Sequence, residues 1–283
     1  MKVVLFCGGM GLRLREHADS LPKPIVPVGD RPIIWHVMKY YAHYGHKDFI
    51  LCLGYKSAMI KEYFLRYNEA MSNDFVMSHG GRHVELMGAA DIQDWTITFA
   101  ETGLHTNIGQ RLKAVERHLQ GEDVFLANYA DDLTDFYLPA MIDHFVSSGK
   151  IAAFLRVQPP HSFHVVEMGD GHEVSGIQHV SRSGMYMNGG YFIFRKEIFN
   201  YLRDGEELVE EPFRRLITEG QLSAYRHDGF WVPMDTFKDK QLLDDMYSRG
   251  VAPWEVWKSS NGSDKRTPIF VDSRQTPNGE PVF

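Results

Sequence analysis

Residues 2–14 read KVVLFCGGMGLRL, an apolar run over Lys2–Cys7 closed at once by Gly8, Gly9 and Gly11. A short apolar stretch without alternation is the pattern of a strand buried on both faces, as in a parallel sheet. The stretches that follow fit such a sheet. Pro32–Tyr44 carries apolar residues at 33, 34, 37, 38, 41 and 42, a helical stripe with proline near its start. Asp48–Leu53 reads as the second strand. Ser57–Tyr67 reads as the second helix, with Ser57 as its expected N-cap. Strand, loop, helix, strand and helix in this order predict an α/β fold with right-handed crossovers.

The pattern continues with strands over Trp95–Glu101, Asp123–Tyr129 (DVFLANY) and Ile151–Val157, and helices over Gly109–His118 and Leu138–Val146. Residues 71–94 are polar and irregular, an expected excursion with little structure. His164–Met168, Val174–Val180 and Met185–Phe194 form a run of strands with glycine turns, expected as an antiparallel patch. Glu210–Thr218 is helical, Leu222–Tyr225 a strand and Lys238–Ser248 a helix. From Lys258 the composition turns to Ser, Asn, Gly, Asp, Thr and Pro, so 258–283 reads as a polar tail or an arm against a neighbour.

A chain of 283 residues buries enough surface to fold without disulfides or a structural metal. Lys and Arg number 30 against 37 Asp and Glu, a net charge of −7, which disfavours a nucleic-acid partner. No apolar run approaches the roughly 18–20 residues of a membrane span. Val3–Cys7 is too short for a secretory core, so the cytoplasm is the expected address. The two cysteines, Cys7 and Cys52, lie in apolar runs and read as inert core thiols.

Three glycines in four residues after the first strand let backbone N–H groups approach a ligand without obstruction by Cβ. Arg13 adds a bidentate phosphate donor to that loop. Lys23 stands between Pro22 and Pro24, which restrict the backbone that carries the ammonium. Together they make a triphosphate cradle. No G-x-x-x-x-G-K-[ST] is present, and Leu14 stands where G-x-G-x-x-G needs its third glycine, so neither a P-loop nor a dinucleotide fingerprint applies. Asp131 and Asp132 end the strand DVFLANY at the edge where open parallel sheets bind ligands. Asp235 follows a second apolar run, FWVPM. Two carboxylates plus substrate phosphates are a usual Mg²⁺ site.

The segments GGMGLRL, PKP, RLK at 111–113, YADD at 129–132, NGGYFIF at 188–194 and FWVPMDTFKDK at 230–240 resemble the sugar-1-phosphate nucleotidyltransferases, nearest the cytidylyltransferase members. The resemblance runs from Met1 to about Trp257. It implies a Rossmann-like, mostly parallel sheet flanked by helices, with a small β-rich sugar-binding subdomain. On that reading 1–257 is one nucleotidyltransferase domain, its core about 1–150 and 220–250 and its sugar-binding part about 151–220. The resemblance also implies Mg²⁺ as cofactor, an NTP (CTP expected) and a sugar 1-phosphate (glucose 1-phosphate expected) as substrates, release of pyrophosphate, and a homo-oligomer.

Carried onto this chain, the family pattern gives Gly8, Gly9, Gly11 and Arg13 to the nucleotide loop and Lys23 to the α-phosphate. It gives Thr106, Arg111 and Ala130 to the nucleotide, and Asp131 and Asp235 to the metal. Asn188, Gly189 and Glu211 fall to the sugar. Three departures stand out. Leu12 replaces a threonine of the phosphate loop, and Tyr-Ala-Asp-Asp replaces Tyr-Gly-Asp-Gly. The family's Glu-Lys-Pro, whose lysine grips the sugar phosphate, is absent, and Gln178–Arg182 stands in its place. Arg182 is then the expected acceptor-phosphate cation. Two alternatives stay open: the same chemistry on a cyclitol or modified sugar phosphate, and nucleotide binding without turnover.

Overall fold

A computed structural model of the protein describes residues 1–9, 21–71, 74–87, 91–160 and 163–258. Its strands and helices in chain order are β1 (Val3–Phe6), β2 (Pro27–Val28), β3 (Arg31–Pro32), α1 (Ile33–His43), β4 (Asp48–Leu53), α2 (Ser57–Leu65), β5 (Phe75–Ser78), β6 (His83–Leu86), β7 (Thr96–Glu101) and α3 (Ile108–Ala114). There follow β8 (Val124–Asn128), β9 (Asp132–Thr134), α4 (Leu138–Ser148), β10 (Ala152–Val157), β11 (His164–Met168), β12 (Val174–His179), β13 (Met187–Arg195), α5 (Glu211–Thr218), β14 (Leu222–His227), β15 (Trp231–Pro233) and α6 (Phe237–Ser248).

Among the described residues the central sheet has seven strands in the order β14-β10-β13-β8-β1-β4-β7. It is parallel except at β13, which runs antiparallel to both β8 and β10. The expected mostly parallel α/β sheet is therefore present. Both of its faces are covered, which is why β1 reads as an unbroken apolar run. Val3, Leu5, Phe49, Leu51, Tyr191 and Ile193 pack with α1, α4 and α6. Val4, Phe6, Ile50, Cys52, Phe192 and Phe194 pack on the other face with α3 and α5. Cys7 and Cys52 are buried and unpaired, and burial pushes both thiols well above their ordinary pKa. No helix among the described residues is long and apolar enough to cross a membrane.

Three local expectations need correction. Ser57 is the first residue of α2, not its cap; the cap position is Lys56 in the left-handed region, with no side-chain hydrogen bond. The excursion at 71–94 contains a hairpin, β5–β6, which turns at Gly80 and Gly81, both at positive φ. Such φ values are what a pair of glycines provides in a tight turn. The strand run after 163 is not one patch: among the described residues β11 and β12 pair only with each other, whereas β13 enters the central sheet. Thus β10 and β13, both within the expected sugar-binding part at 151–220, are hydrogen-bonded into the same sheet as β1 and β8. Residues 259–283 of the expected tail lie outside the described residues.

Candidate active site

Parallel strands deliver their loops to one edge, and β1, β4, β7 and β8 deliver theirs to the carboxyl edge of the sheet. Gly8 and Gly9 follow β1 there. A Cβ on Gly8 would lie 2.0 Å from Arg111 Nη1, so any larger residue would push the guanidinium aside. At Gly9 a Cβ would meet nothing within 4 Å. Gly11 and Arg13, the other two members of this loop, lie outside the described residues.

Arg111, on α3, is buried against these loops. Its Nη2 donates to Gly8 O at 3.0 Å and Leu104 O at 3.4 Å. Its Nη1 donates to Thr102 Oγ1 at 2.8 Å, Gly103 O at 2.9 Å and Leu53 O at 3.3 Å. One guanidinium thereby ties together the segments after β1, β4 and β7, a use its five-donor fork suits. Sequence reasoning placed Arg111 at the nucleotide and missed this brace. The signal was a glycine directly after a buried strand, Gly8, which is itself buried. Thr106, close by, donates its hydroxyl to Thr102 O at 2.7 Å.

The strand β8 ends at Asn128 and the chain turns through Tyr129, Ala130 and Asp131. Ala130 is buried with φ of 65°, and Asn128 Oδ1 accepts from its N–H at 2.6 Å. A non-glycine residue in the left-handed region costs roughly 1–2 kcal/mol, and such strain gathers at functional sites. Past the turn, β9 pairs antiparallel with β15, Pro233 lying opposite Asp132. Met234 N donates to Asp131 O at 2.9 Å. This short ladder, invisible in the sequence, brings Asp131 and Asp235 side by side although 104 positions separate them. Asp235 is held from the other side by the start of α6, where Thr236 and Asp239 form a capping box.

Lys23 reaches the same place from the other direction. It opens a 3-10 turn, Lys23–Ile25, between Pro22 and the buried Pro24. Its Nζ lies 2.5 Å from Asp131 Oδ2 and 2.7 Å from Asp235 Oδ1. The lysine side chain is only 13% exposed. Burial disfavours its charge, but the two carboxylates outweigh burial and raise its pKa. The ammonium is thus a cation bridging two hard-oxygen donors. Among the described residues no group of three or more His, Cys, Asp or Glu is arranged to hold a metal. An open pair of carboxylates, with the remaining positions left to water and phosphate oxygens, is the arrangement that suits Mg²⁺.

Asp132, next in the chain, is the buried neighbour of this pair. It is 3% exposed, its Oδ2 has no hydrogen-bond partner among the described residues, and burial followed by the Asp131 charge raises its pKa. Gly190 makes room for it: at φ of 76°, a Cβ there would lie 2.0 Å from Asp132 Oδ2. Asn188 lies beside this pair, its Nδ2 donating to Tyr129 Oη at 3.1 Å and its Oδ1 accepting from Gly190 N at 3.0 Å. Trp231 Nε1 donates to Gly189 O at 2.8 Å, which anchors the Asn-Gly-Gly segment to β15. The structure therefore gathers Lys23, Asp131, Asp235, Ala130, Asn188 and Gly189 at one end of β8, β13 and β15. Glu211, the first residue of α5, lines a surface pocket with Arg203, Arg214, Arg215, Thr218 and Glu219. Arg182 is exposed, at the end of the 3-10 turn Val180–Arg182.

Comparison with known proteins bears on this geometry. A glucose-1-phosphate cytidylyltransferase of Salmonella typhimurium is 36% identical over 259 residues, covering 91% of this chain and all of the relative. The fold matches UDP-glucose pyrophosphorylase complexed with UDP-glucose (TM-score 0.63, 15% identity, 88% of this chain and 98% of that one). It also matches a UTP-bound UGPase from Acinetobacter baumannii (TM-score 0.63, 19% identity, 87% and 92%). The family model for nucleotidyl transferases spans residues 2–244, which takes in the glycine turn, both aspartates and the lysine between them. The chain belongs to the nucleotidyl transferase family.

Proposed function

We propose that the protein transfers a cytidylyl group from CTP to a sugar 1-phosphate, with glucose 1-phosphate as the reference acceptor, and releases pyrophosphate. The observation that carries this reading is the Lys23 ammonium held between Asp131 and Asp235 beside the Gly8–Gly9 turn. An acceptor phosphate oxygen attacks the α-phosphorus, and the bond to the pyrophosphate oxygen breaks with its electron pair on the leaving group. The acceptor phosphate is already an anion, so no protein nucleophile is required. The buried Cys7 and Cys52, with raised pKa, would not supply one.

Asp131 and Asp235 would hold a divalent ion, Mg²⁺ in this proposal. When bound, it supplies charge neutralisation on the phosphate oxygens. Lys23 exchanges its carboxylate partners for the α-phosphate, so that its charge follows the charge that develops there. Gly8, Gly9, Gly11 and Arg13 cradle the triphosphate, and Arg111 and Thr106 fix the loops that flank the base. Asn188 and Gly189 face the sugar, and Arg182 and Glu211 complete the acceptor side. Catalysis is then positioning and neutralisation. The proposal includes a cytoplasmic address and a homo-oligomer, the latter read from the resemblance and testable by light scattering.

The test is pyrophosphate release with CTP, UTP, dTTP, ATP and GTP, with and without Mg²⁺. CTP should exceed ATP and GTP by at least about 10-fold in kcat/KM, because a pocket that hydrogen-bonds a pyrimidine edge rejects a purine by clash and by unpaired donors. Equal values for CTP and ATP would contradict the base assignment. No pyrophosphate with any pair of substrates would contradict the reaction.

A further inference from the structure

Beyond Asn188 the carboxyl edge of the sheet continues through β10 and β14, and both strands end in arginine-bearing positions. Arg156 and Arg226 are in register on these parallel neighbours. On its other side Arg156 lies opposite Asn188 of β13, just past a register shift. Both guanidinium groups lie over the ring of Tyr186: Arg156 Cζ is 4.5 Å and Arg226 Cζ 5.7 Å from the ring centroid. Asp228 pairs with Arg226 at 2.8 Å. The Nε of Arg156 is buried without a hydrogen-bond partner among the described residues. Like charges in direct register repel, and a buried unpaired donor is costly. The aromatic ring offsets part of this; an anion would offset the rest.

The place of this pair in the sheet sets what the anion belongs to. From β8, which ends beside Asp131, the order runs to β13, β10 and β14. At roughly 4.8 Å per strand, the arginines stand about 10 and 15 Å along the edge from the end of β8. The reacting phosphate must lie with Asp131 and Asp235, and Asn188 stands between it and the arginines. A phosphate, a sugar ring and a distal substituent laid along this edge would put the distal substituent on the arginine pair. We infer that Arg156 and Arg226, propped by Tyr186, bind a second negatively charged group on the acceptor, so that the preferred substrate is a sugar 1-phosphate that also carries a carboxylate or a second phosphate.

This inference rests on the proposed nucleotidyl transfer, and the experiment separates the two. Wild type, Arg156→Gln, Arg226→Gln and the double variant are assayed with CTP and Mg²⁺. The acceptors are glucose 1-phosphate, glucuronic acid 1-phosphate and glucose 1,6-bisphosphate. Wild type should favour at least one charged acceptor over glucose 1-phosphate by about 10–100-fold in kcat/KM, the range of hydrogen bonds to a charged group. Which of the two is favoured tells carboxylate from phosphate. The double variant should bring that ratio close to one, and Arg156→Lys, which keeps charge without the fork, should restore part of it.

Equal use of all three acceptors by wild type overturns the inference, as does an unchanged ratio in the folded double variant. Arg226 is exposed, so its single variant keeps the test open if changes at Arg156 unfold the protein. Calorimetric binding of the favoured acceptor without nucleotide, or of both charged acceptors where none is turned over, gives a readout independent of turnover. It should weaken at least about 10-fold in the double variant. Absence of binding to wild type, or equal binding to both proteins, overturns the inference. Arginine-dependent binding with no turnover of any acceptor overturns the nucleotidyl transfer and leaves the anion site standing.

Discussion

Lys23 lies between the two carboxylates proposed to hold the metal, and this sets what single substitutions around it should do. Asp131→Asn and Asp235→Asn each keep the shape of the side chain and remove one charge from the bridge. Losing a metal ligand removes several kcal/mol of transition-state stabilisation, so Mg²⁺-dependent turnover should fall on the order of 10³-fold or more in each. Circular dichroism should show both variants folded; near-normal rates in either would remove that residue from the metal site. Each of these two carboxylates follows an apolar strand-like run, at the edge where α/β sheets place ligands, which is the sequence feature that proposes them. Asp131 and Asp132, by contrast, look alike in sequence. Only Gly190, which leaves a hollow for Asp132, and Lys23, which reaches Asp131, separate a buried carboxyl from an accessible one. The brace made by Arg111 was not legible, because four of its five partners are backbone carbonyls, of Gly8, Leu53, Gly103 and Leu104, and the fifth is the Thr102 hydroxyl. Carbonyls carry no sequence signature.

At the scale of elements, strands of five or six residues were readable and those of three were not. The bounds of β4 and β11 agree with the apolar pattern residue for residue. The ladder of β9 and β15 has three residues on each side, too few for any period, yet it brings Asp131 and Asp235 together. The attachment of α1 to the chain near Trp254 was equally hidden. His36 of α1 is buried, its Nε2 bonded to Val28 O at 2.9 Å, and its Nδ1 accepts from Trp254 Nε1 at 3.2 Å. A proton on Nδ1 would turn an acceptor toward a donor. Burial lowers the pKa of His36 to about 4, against about 6.5 in the unfolded chain. Between these values the unfolded state binds more protons, so stability rises with pH. His36 therefore contributes fully above about pH 6.5, and its contribution is lost as pH falls toward 4, by at most about 3 kcal/mol. His46, also lowered to about 4 by burial, titrates in the same window. Urea midpoints from pH 7 to 4.5 for wild type and His36→Gln isolate the His36 share. The wild-type curve should fall more steeply, and parallel curves would show that His36 does not titrate this way.

For the whole molecule, the question is how residues 151–220, the expected sugar-binding part of a single domain, are joined to the rest. The sheet order argues for one folding unit. β13 lies between β8 and β10, so the first half of the chain and the second share one hydrogen-bonded ladder. The apolar faces interleave as well: Leu126, Ala153, Leu155 and Ile193 pack in one cluster with Val3 and Leu5. Separating the two parts would expose both faces of the sheet at its middle, and at roughly 25 cal/mol per Å² of apolar surface no independent unit gains from that. Thermal unfolding should therefore be a single transition, with tryptophan fluorescence and far-UV circular dichroism coincident. The tryptophans sample both ends of the argument, since Trp95 packs on Phe49 of β4 while Trp231 is bonded to Gly189. The β11–β12 hairpin is the exception. Among the described residues it pairs with no strand of the sheet, and Val166, Met168, Val174 and Ile177 on it are exposed. Its amide protons should exchange well before those of β8 and β13, because opening it costs few buried contacts. Two resolved transitions, the first removing the signal of β10 and β13 together with the hairpin, would restore a boundary near 151 and detach Asn188 and Arg156 from the folding unit that holds Asp131.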